Sequence, residues 1–147
     1  MHSILVVDDE SSIRELLGRW LNAAGYEVRE ADTAERALEV MAERRAAVVM
    51  CDIEMPGHGG LWLDNQLRQR FPGSAMVLAT ALDTIPPTTS LKTGIVEYLV
   101  KPFQRKGVLA AVTAGVEWHI AEAERLKQPE APRPSMSSWL DTIDPDK

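Results

Sequence analysis

Short apolar runs punctuate this chain, and each stops at a polar residue. Ile4–Val7 gives way to Asp8-Asp9-Glu10, Ala47–Cys51 to Asp52, Ala75–Ala79 to Thr80, and Glu97–Val100 to Lys101-Pro102. Runs of this length, bounded by turn residues, predict strands buried on both faces. Tyr26–Glu30 alternates in character and suits an edge strand. Between the strands the apolar period changes. Ser11 or Ser12 is expected to cap a helix with Ile13, Leu16, Leu17, Leu21 and Ala24 on one face, stopped by Gly25. Thr33 caps a second helix with Ala37, Leu38 and Met41 inward, and Leu61–Phe71 forms a third, closed by Pro72-Gly73. Ile85–Thr93 is a weak helix, and a long one runs from Phe103 or Gln104 to about Lys127. Strand and helix alternating in this way predict an α/β fold, a doubly wound five-stranded parallel sheet with helices on both faces and right-handed crossovers.

The length of 147 residues allows one domain with a full core plus a tail. Residues 1–126 are expected to form the domain. Over 127–147 the composition turns to a linker broken by Pro129, Pro132 and Pro134, with a turn-sized apolar cluster of Trp139, Leu140 and Ile143. A net charge of −6 argues against a nucleic-acid-binding surface. The apolar start is interrupted by Asp8 and is too short for a signal peptide or membrane span, so a cytoplasmic protein is expected. The single cysteine, Cys51, reads as a small buried hydrophobe.

The polar groups that end the strands would gather along one edge of such a sheet: Asp8 and Asp9, Asp52, Thr80 and Lys101. Ligands of open α/β sheets bind at the carboxyl ends of the strands. Each residue alone has an ordinary explanation, since Asp caps helices, Thr closes strands and Lys is usually solvated. Together they form a carboxylate cluster that is unfavourable without a cation. An all-oxygen donor set selects a hard ion, and Mg²⁺ fits best. Mg²⁺ beside a Lys and a Thr hydroxyl complements a phosphoryl group, and a carboxylate there can act as the nucleophile.

The segments ILVVDDE at 4–10, DIEMPG at 52–57, TA at 80–81 and YLVKPF at 98–103 resemble the receiver domain of two-component response regulators, the CheY-like family, over Met1 to about Arg125. The resemblance implies a flavodoxin-like receiver fold with strand order 2-1-3-4-5. It implies Asp52 as phosphoacceptor and Mg²⁺ held by Asp9, Asp52 and the backbone carbonyl of Glu54, with Asp8 acting mainly through a water. Lys101 would pair with the phosphoryl oxygens, Thr80 and Tyr98 would be the switch pair, and Lys101-Pro102 would be a cis peptide. The implied partners are a histidine kinase or phosphotransfer protein, and a downstream protein or an output domain beyond this chain. His58-Gly59-Gly60 departs from the family, which often has an acid before the loop glycine. His58 reads as a solvated loop residue and Trp62 as an exposed contact candidate.

A phosphoryl-accepting receiver of a phosphorelay is therefore the expected function. Its catalysis would be limited to Mg²⁺-dependent self-phosphorylation and self-dephosphorylation. The competing readings are a fragment of a larger regulator and a Mg²⁺-dependent phosphatase or phosphotransferase with Glu54 as general acid. In the last helix Leu109, Val112, Val116, His119 or Ile120, Ala123 and Leu126 recur at helical spacing. Its ~23 residues span roughly 35 Å, against roughly 17 Å for a five-residue strand. The excess is expected to project, for a homodimer or an output domain, or else to fold back on its own domain. The Pro- and hydroxyl-rich stretch Asp83–Thr93 is expected to be the mobile part of the switch.

Overall fold

The structure, a computed structural model, describes residues 2–81 and 94–127. The expected switch segment Asp83–Thr93 and the tail lie outside these residues. Five strands, β1 (Ser3–Val7), β2 (Glu27–Ala31), β3 (Val48–Asp52), β4 (Ala75–Thr80) and β5 (Ile95–Val100), form one parallel sheet in the order β2-β1-β3-β4-β5. Four described helices, α1 (Ser11–Ala23), α2 (Ala34–Glu43), α3 (Gly60–Arg70) and α4 (Arg105–Lys127), connect or follow them. The expected topology holds, and the alternating strand β2 is indeed at an edge.

Every residue of β1, β3 and β4 is buried. Their side chains alternate between two cores. On one face Leu5, Val7, Val49, Cys51, Met76 and Leu78 meet Ala37 and Met41 of α2 and Leu63 and Leu67 of α3. On the other, Ile4, Val6, Val48, Met50 and Val77 meet Leu17 and Leu21 of α1 and Val108, Ala111 and Val112 of α4. The two-residue period of the strands thus divides a continuous apolar run between opposite faces.

Local signals set most boundaries. Thr33 Oγ1 accepts the backbone N–H of Arg36 and caps α2 as expected. Gly25, at φ 96°, ends α1 in a left-handed conformation that a side chain disfavours. The start of α1 corrects the sequence reading, because the cap position is Glu10 with no side-chain cap bond, and Ser11 is already helical. The Asp8 carboxylate takes the Glu10 N–H and the Glu10 carbonyl takes the Arg14 N–H, so the β1–α1 turn has partners without a serine hydroxyl.

Two courses were open for the long final helix, projection or a return to its own domain, and the contacts near its end are of the second kind. It extends past the amino ends of the strands, but its end does not project freely. His119 Nδ1 lies 2.7 Å from the Gly73 carbonyl, and Leu126 lies against the same turn, where a Cβ on Gly73 would come within 3.8 Å of it. The surplus turns cover the α3–β4 connection instead of leaving the domain, although Ile120 and Leu126 remain about half exposed. Among the described residues no helix is long and apolar enough to cross a membrane.

Two glycines of α4 separate packing from helix propensity. A Cβ on Gly115 would sit 2.8 Å from Val48 Cγ2 in the rigid centre of the sheet, whereas one on Gly107 would make an ordinary 3.9 Å contact with Leu99. Gly115→Ala is expected to lose about 1–2 kcal/mol, overpacking exceeding the propensity gain. Gly107→Ala is expected to gain up to ~1 kcal/mol. Urea unfolding of both variants checks the opposite signs.

Candidate functional site

Parallel register assembles the site. Val7 of β1 pairs with Cys51 of β3, so the next residues along, Asp8 and Asp52, stand side by side at the carboxyl edge. Asp52 pairs with Ala79, and Thr80 with Val100, which brings Thr80 and Lys101 to the same edge from β4 and β5. Adjacent strands are about 4.8 Å apart, so neighbouring strand ends must place their side chains within contact distance.

The two leading carboxylates are held in the same way. Asp8 Oδ1 accepts the N–H of Glu10 at 2.9 Å, and Asp52 Oδ1 accepts the N–H of Glu54 at 3.1 Å. Each acid thus bonds the backbone two residues on, a turn that short acidic side chains favour. Their other oxygens share one cation. Lys101 Nζ donates to Asp52 Oδ2 at 2.8 Å and to Asp8 Oδ2 at 3.2 Å. Asp9 completes the cluster from an exposed position, and carboxylate oxygens of Asp8, Asp9 and Asp52 lie within 4.8 Å of one another. Thr80 is buried, with its hydroxyl donating to the Ala81 carbonyl at 3.1 Å. The Lys101-Pro102 peptide is cis, as the resemblance implies.

Burial raises the Asp8 pKa, opposed by the Glu10 N–H and by Lys101, with the Asp52 charge adding to the rise. For Lys101, burial alone would lower the pKa, but the Asp52 hydrogen bond and the charges of Asp8 and Asp52 outweigh it and raise it. One ammonium among three carboxylates leaves the cleft anionic. The donors that converge are oxygens, and Cys51 beside them is unsuited to ligation because burial pushes its thiol pKa well up. The residues therefore fit a hard divalent cation.

Several contributors escaped sequence reasoning. Arg14 of α1 donates from Nη1 to the Asp8 carbonyl at 2.6 Å and pairs through Nε with Glu30 at 3.1 Å, fixing the β1 exit to β2. Gly59 and Gly60 carry the β3–α3 loop directly against the end of β3. A Cβ on Gly60 would lie 2.8 Å from the Asp52 carbonyl oxygen and 2.6 Å from Leu78, and one on Gly59 would strike the Ile53 carbonyl. The adjacent glycines were the signal for this close approach. His58 is an exposed loop residue as expected, whereas Trp62, expected to be exposed, is not fully so. Their rings stack at 3.8 Å and 11°, His58 Nδ1 lies 2.6 Å from Glu35 Oε1, and Trp62 is partly buried against the core. The His58 hydrogen bond lowers the Glu35 pKa. Tyr98, also partly buried, has its phenol pKa raised by burial and then by the Asp64 charge.

The description "Response regulator receiver domain" matches residues 4–113. The response regulator protein FleR of Pseudomonas aeruginosa is 34% identical over 74% of this chain and 23% of its own length. The response regulator MprA of Mycobacterium sp. (strain KMS) is 34% identical over 97% of this chain and 60% of its own length. The chain thus spans between about a quarter and three-fifths of these curated relatives. Among solved structures, the response regulator protein TrrA of Thermotoga maritima, in complex with Mg(2+)-BeF, superposes with a TM-score of 0.70 at 36% identity, covering 78% of this chain and 99% of that one.

The raised Asp8 pKa fixes the sign of a stability effect. The folded state holds the Asp8 proton more tightly than the unfolded state, so stability falls as pH rises from the ordinary carboxylate range through the raised folded value. At neutral pH without divalent metal the ionised Asp8 is a net burden. Asp8→Asn, which keeps the oxygen that accepts the Glu10 N–H, is expected to raise Tm in EDTA at pH 7 and to narrow that difference towards pH 4. Lys101→Met, which strands Asp8 and Asp52 without their cation, is expected to lower it. Thermal melts across this pH range check both.

Proposed function

This chain belongs to the response regulator receiver domain family, and on that premise we propose that it is a phosphorylation switch whose Asp52 accepts a phosphoryl group from a histidine kinase or phosphotransfer protein. The observation that carries this reading is the position of Asp52: its Oδ2 lies 2.8 Å from Lys101 Nζ, within a cluster completed by Asp8 and Asp9. A carboxylate oxygen of Asp52 attacks phosphorus, the P–N bond of the donor phosphohistidine breaks, and the electron pair leaves with the imidazole. The product is an acyl phosphate. Asp52 is nearly buried, and the Glu54 N–H orients it.

Mg²⁺ held by Asp9, Asp52 and the Glu54 carbonyl, with Asp8 acting mainly through a water, would supply charge neutralisation for the phosphoryl oxygens. Lys101, bonded to Asp52 Oδ2 from the end of β5, exchanges part of that carboxylate pairing for those oxygens. Thr80 moves towards the phosphoryl group and gives up its Ala81 partner, and Tyr98, two strand positions back from Val100, changes packing with it. The changed surface is read by a protein partner, or by an output domain where the chain is part of a longer regulator. Residues 1–126 form the receiver unit and residues 127–147 a linker or tail; α4 carries the helical boundary through Lys127. The acidic balance suits a unit that contacts no nucleic acid itself and works in the cytoplasm.

Treatment with acetyl phosphate and Mg²⁺ is expected to add one phosphoryl group, localised to Asp52 by tandem mass spectrometry, and EDTA is expected to prevent it. Asp52→Asn should abolish labelling, while Lys101→Met should slow it about 100-fold. Undiminished label in the Asp52→Asn chain would overturn the assignment.

A further inference from the structure

At the opposite end of the sheet from the acids, α4 and the α3–β4 turn enclose a cavity of about 160 Å³. Phe71, Pro72, Ala123 and Leu126 supply apolar walls, and Arg45 and His119 also line it. The guanidiniums of Arg45 and Arg70 stand 5.7 Å and 5.5 Å from the Phe71 ring centroid. An apolar cavity of this size, about 150 Å³ in the best-known engineered case, accepts a benzene ring. The cavity therefore presents an aromatic-sized hollow with the Arg45 guanidinium in its lining, and the receiver chemistry at the far edge makes no use of it.

We propose that this cavity is the docking site for the chain's own segment Trp139–Ile143, with the Trp139 indole as its anchor. Leu126 lines the cavity and Lys127 is the next residue, so residues 128–147 begin at its rim. The intervening residues 128–138 reach at most roughly 34 Å in an extended polyproline-like form, ample for a return to a hollow that opens where the helix stops. The segment Trp139-Leu140-Asp141-Thr142-Ile143-Asp144 combines three apolar side chains with two acids. That is the complement of apolar walls and a lining arginine, and the indole can share the guanidiniums with Phe71. A short tether sets an effective concentration in the millimolar range, which favours this segment over a free peptide of equal affinity.

Hydrogen exchange by mass spectrometry on the full chain tests the assignment. Amides of residues 138–144 are expected to exchange about fivefold more slowly than free-peptide rates, as a weak tethered contact would give. Trp139→Ala should remove that protection and also speed exchange in peptides covering residues 71–75. Ala123→Phe, which fills the hollow from α4, should release residues 138–144 in the same way, and a melt confirms that this variant is folded. Neither substitution touches the acidic cluster, so labelling at Asp52 should be unchanged in both. Free-peptide exchange rates at residues 138–144 in the unaltered chain would overturn the proposal. Protection that disappears on dilution would overturn docking within one chain and assign the cavity to the segment of a second copy.

Discussion

Three carboxylates within 4.8 Å of one another are the constraint around which the carboxyl edge is organised. Such a cluster repels itself, and among the described residues Lys101 alone is bonded to both Asp8 and Asp52. The arrangement persists because its members cannot move apart. Asp8 and Asp52 follow residues paired in adjacent parallel strands, and each is pinned by the N–H two residues on. The cost of crowding the charges is thus carried by the ladder between β1 and β3, whose side chains are buried on both faces. A site under this electrostatic load is suited to a divalent cation, because the cation relieves it.

The opposite edge is held by different chemistry. Arg68 of α3 lies near Asp64 at 3.2 Å, donates to the Pro72 and Ser74 carbonyls, and sits 5.6 Å from the Trp118 ring of α4. Burial lowers its pKa, with Asp64 opposing the change. This guanidinium links α3 to the turn before β4 and to the last helix. His119 adds its contact with Gly73, and Ser74 Oγ donates to the Ala46 carbonyl at 2.7 Å. The amino edge is therefore a static clamp, while the carboxyl edge concentrates the unfavourable charge.

Much of this architecture was legible because two independent periodicities agree. Uninterrupted apolar runs at 4–7, 47–51 and 75–79 can be stable only when both faces are covered, so they imply a parallel sheet between helices. The alternating stretch at 26–30 could only sit at an edge. The acids and Lys101 were recognisable because each directly ends a strand, and strand ends in a parallel sheet share one side. Less legible were the features that depend on which surfaces meet. Arg14 carries no local signal of its role, which arises only when the fold brings the Asp8 carbonyl and Glu30 to it. His58 and Trp62 lie four residues apart across a loop and a helix start, and their stacking depends on the path imposed by Gly59 and Gly60.

The final helix marks the division most clearly. Its length and its apolar recurrence are local properties of the sequence, and they required a helix longer than the sheet it covers. Whether the surplus left the domain or returned to it depended on the Phe71–Ser74 turn, more than forty positions away in the chain, whose Gly73 carbonyl meets His119. By itself the sequence determined the strand and helix order, the topology class and the set of chemical groups at one edge, because these follow from periodicity and from the geometry of parallel strands. Only the tertiary structure decided that one ammonium is shared by two acids, that the loop after Asp52 must pass where a side chain would collide, and that the last turns close the far end. Those outcomes are set by contacts between residues distant in sequence, which no local pattern encodes.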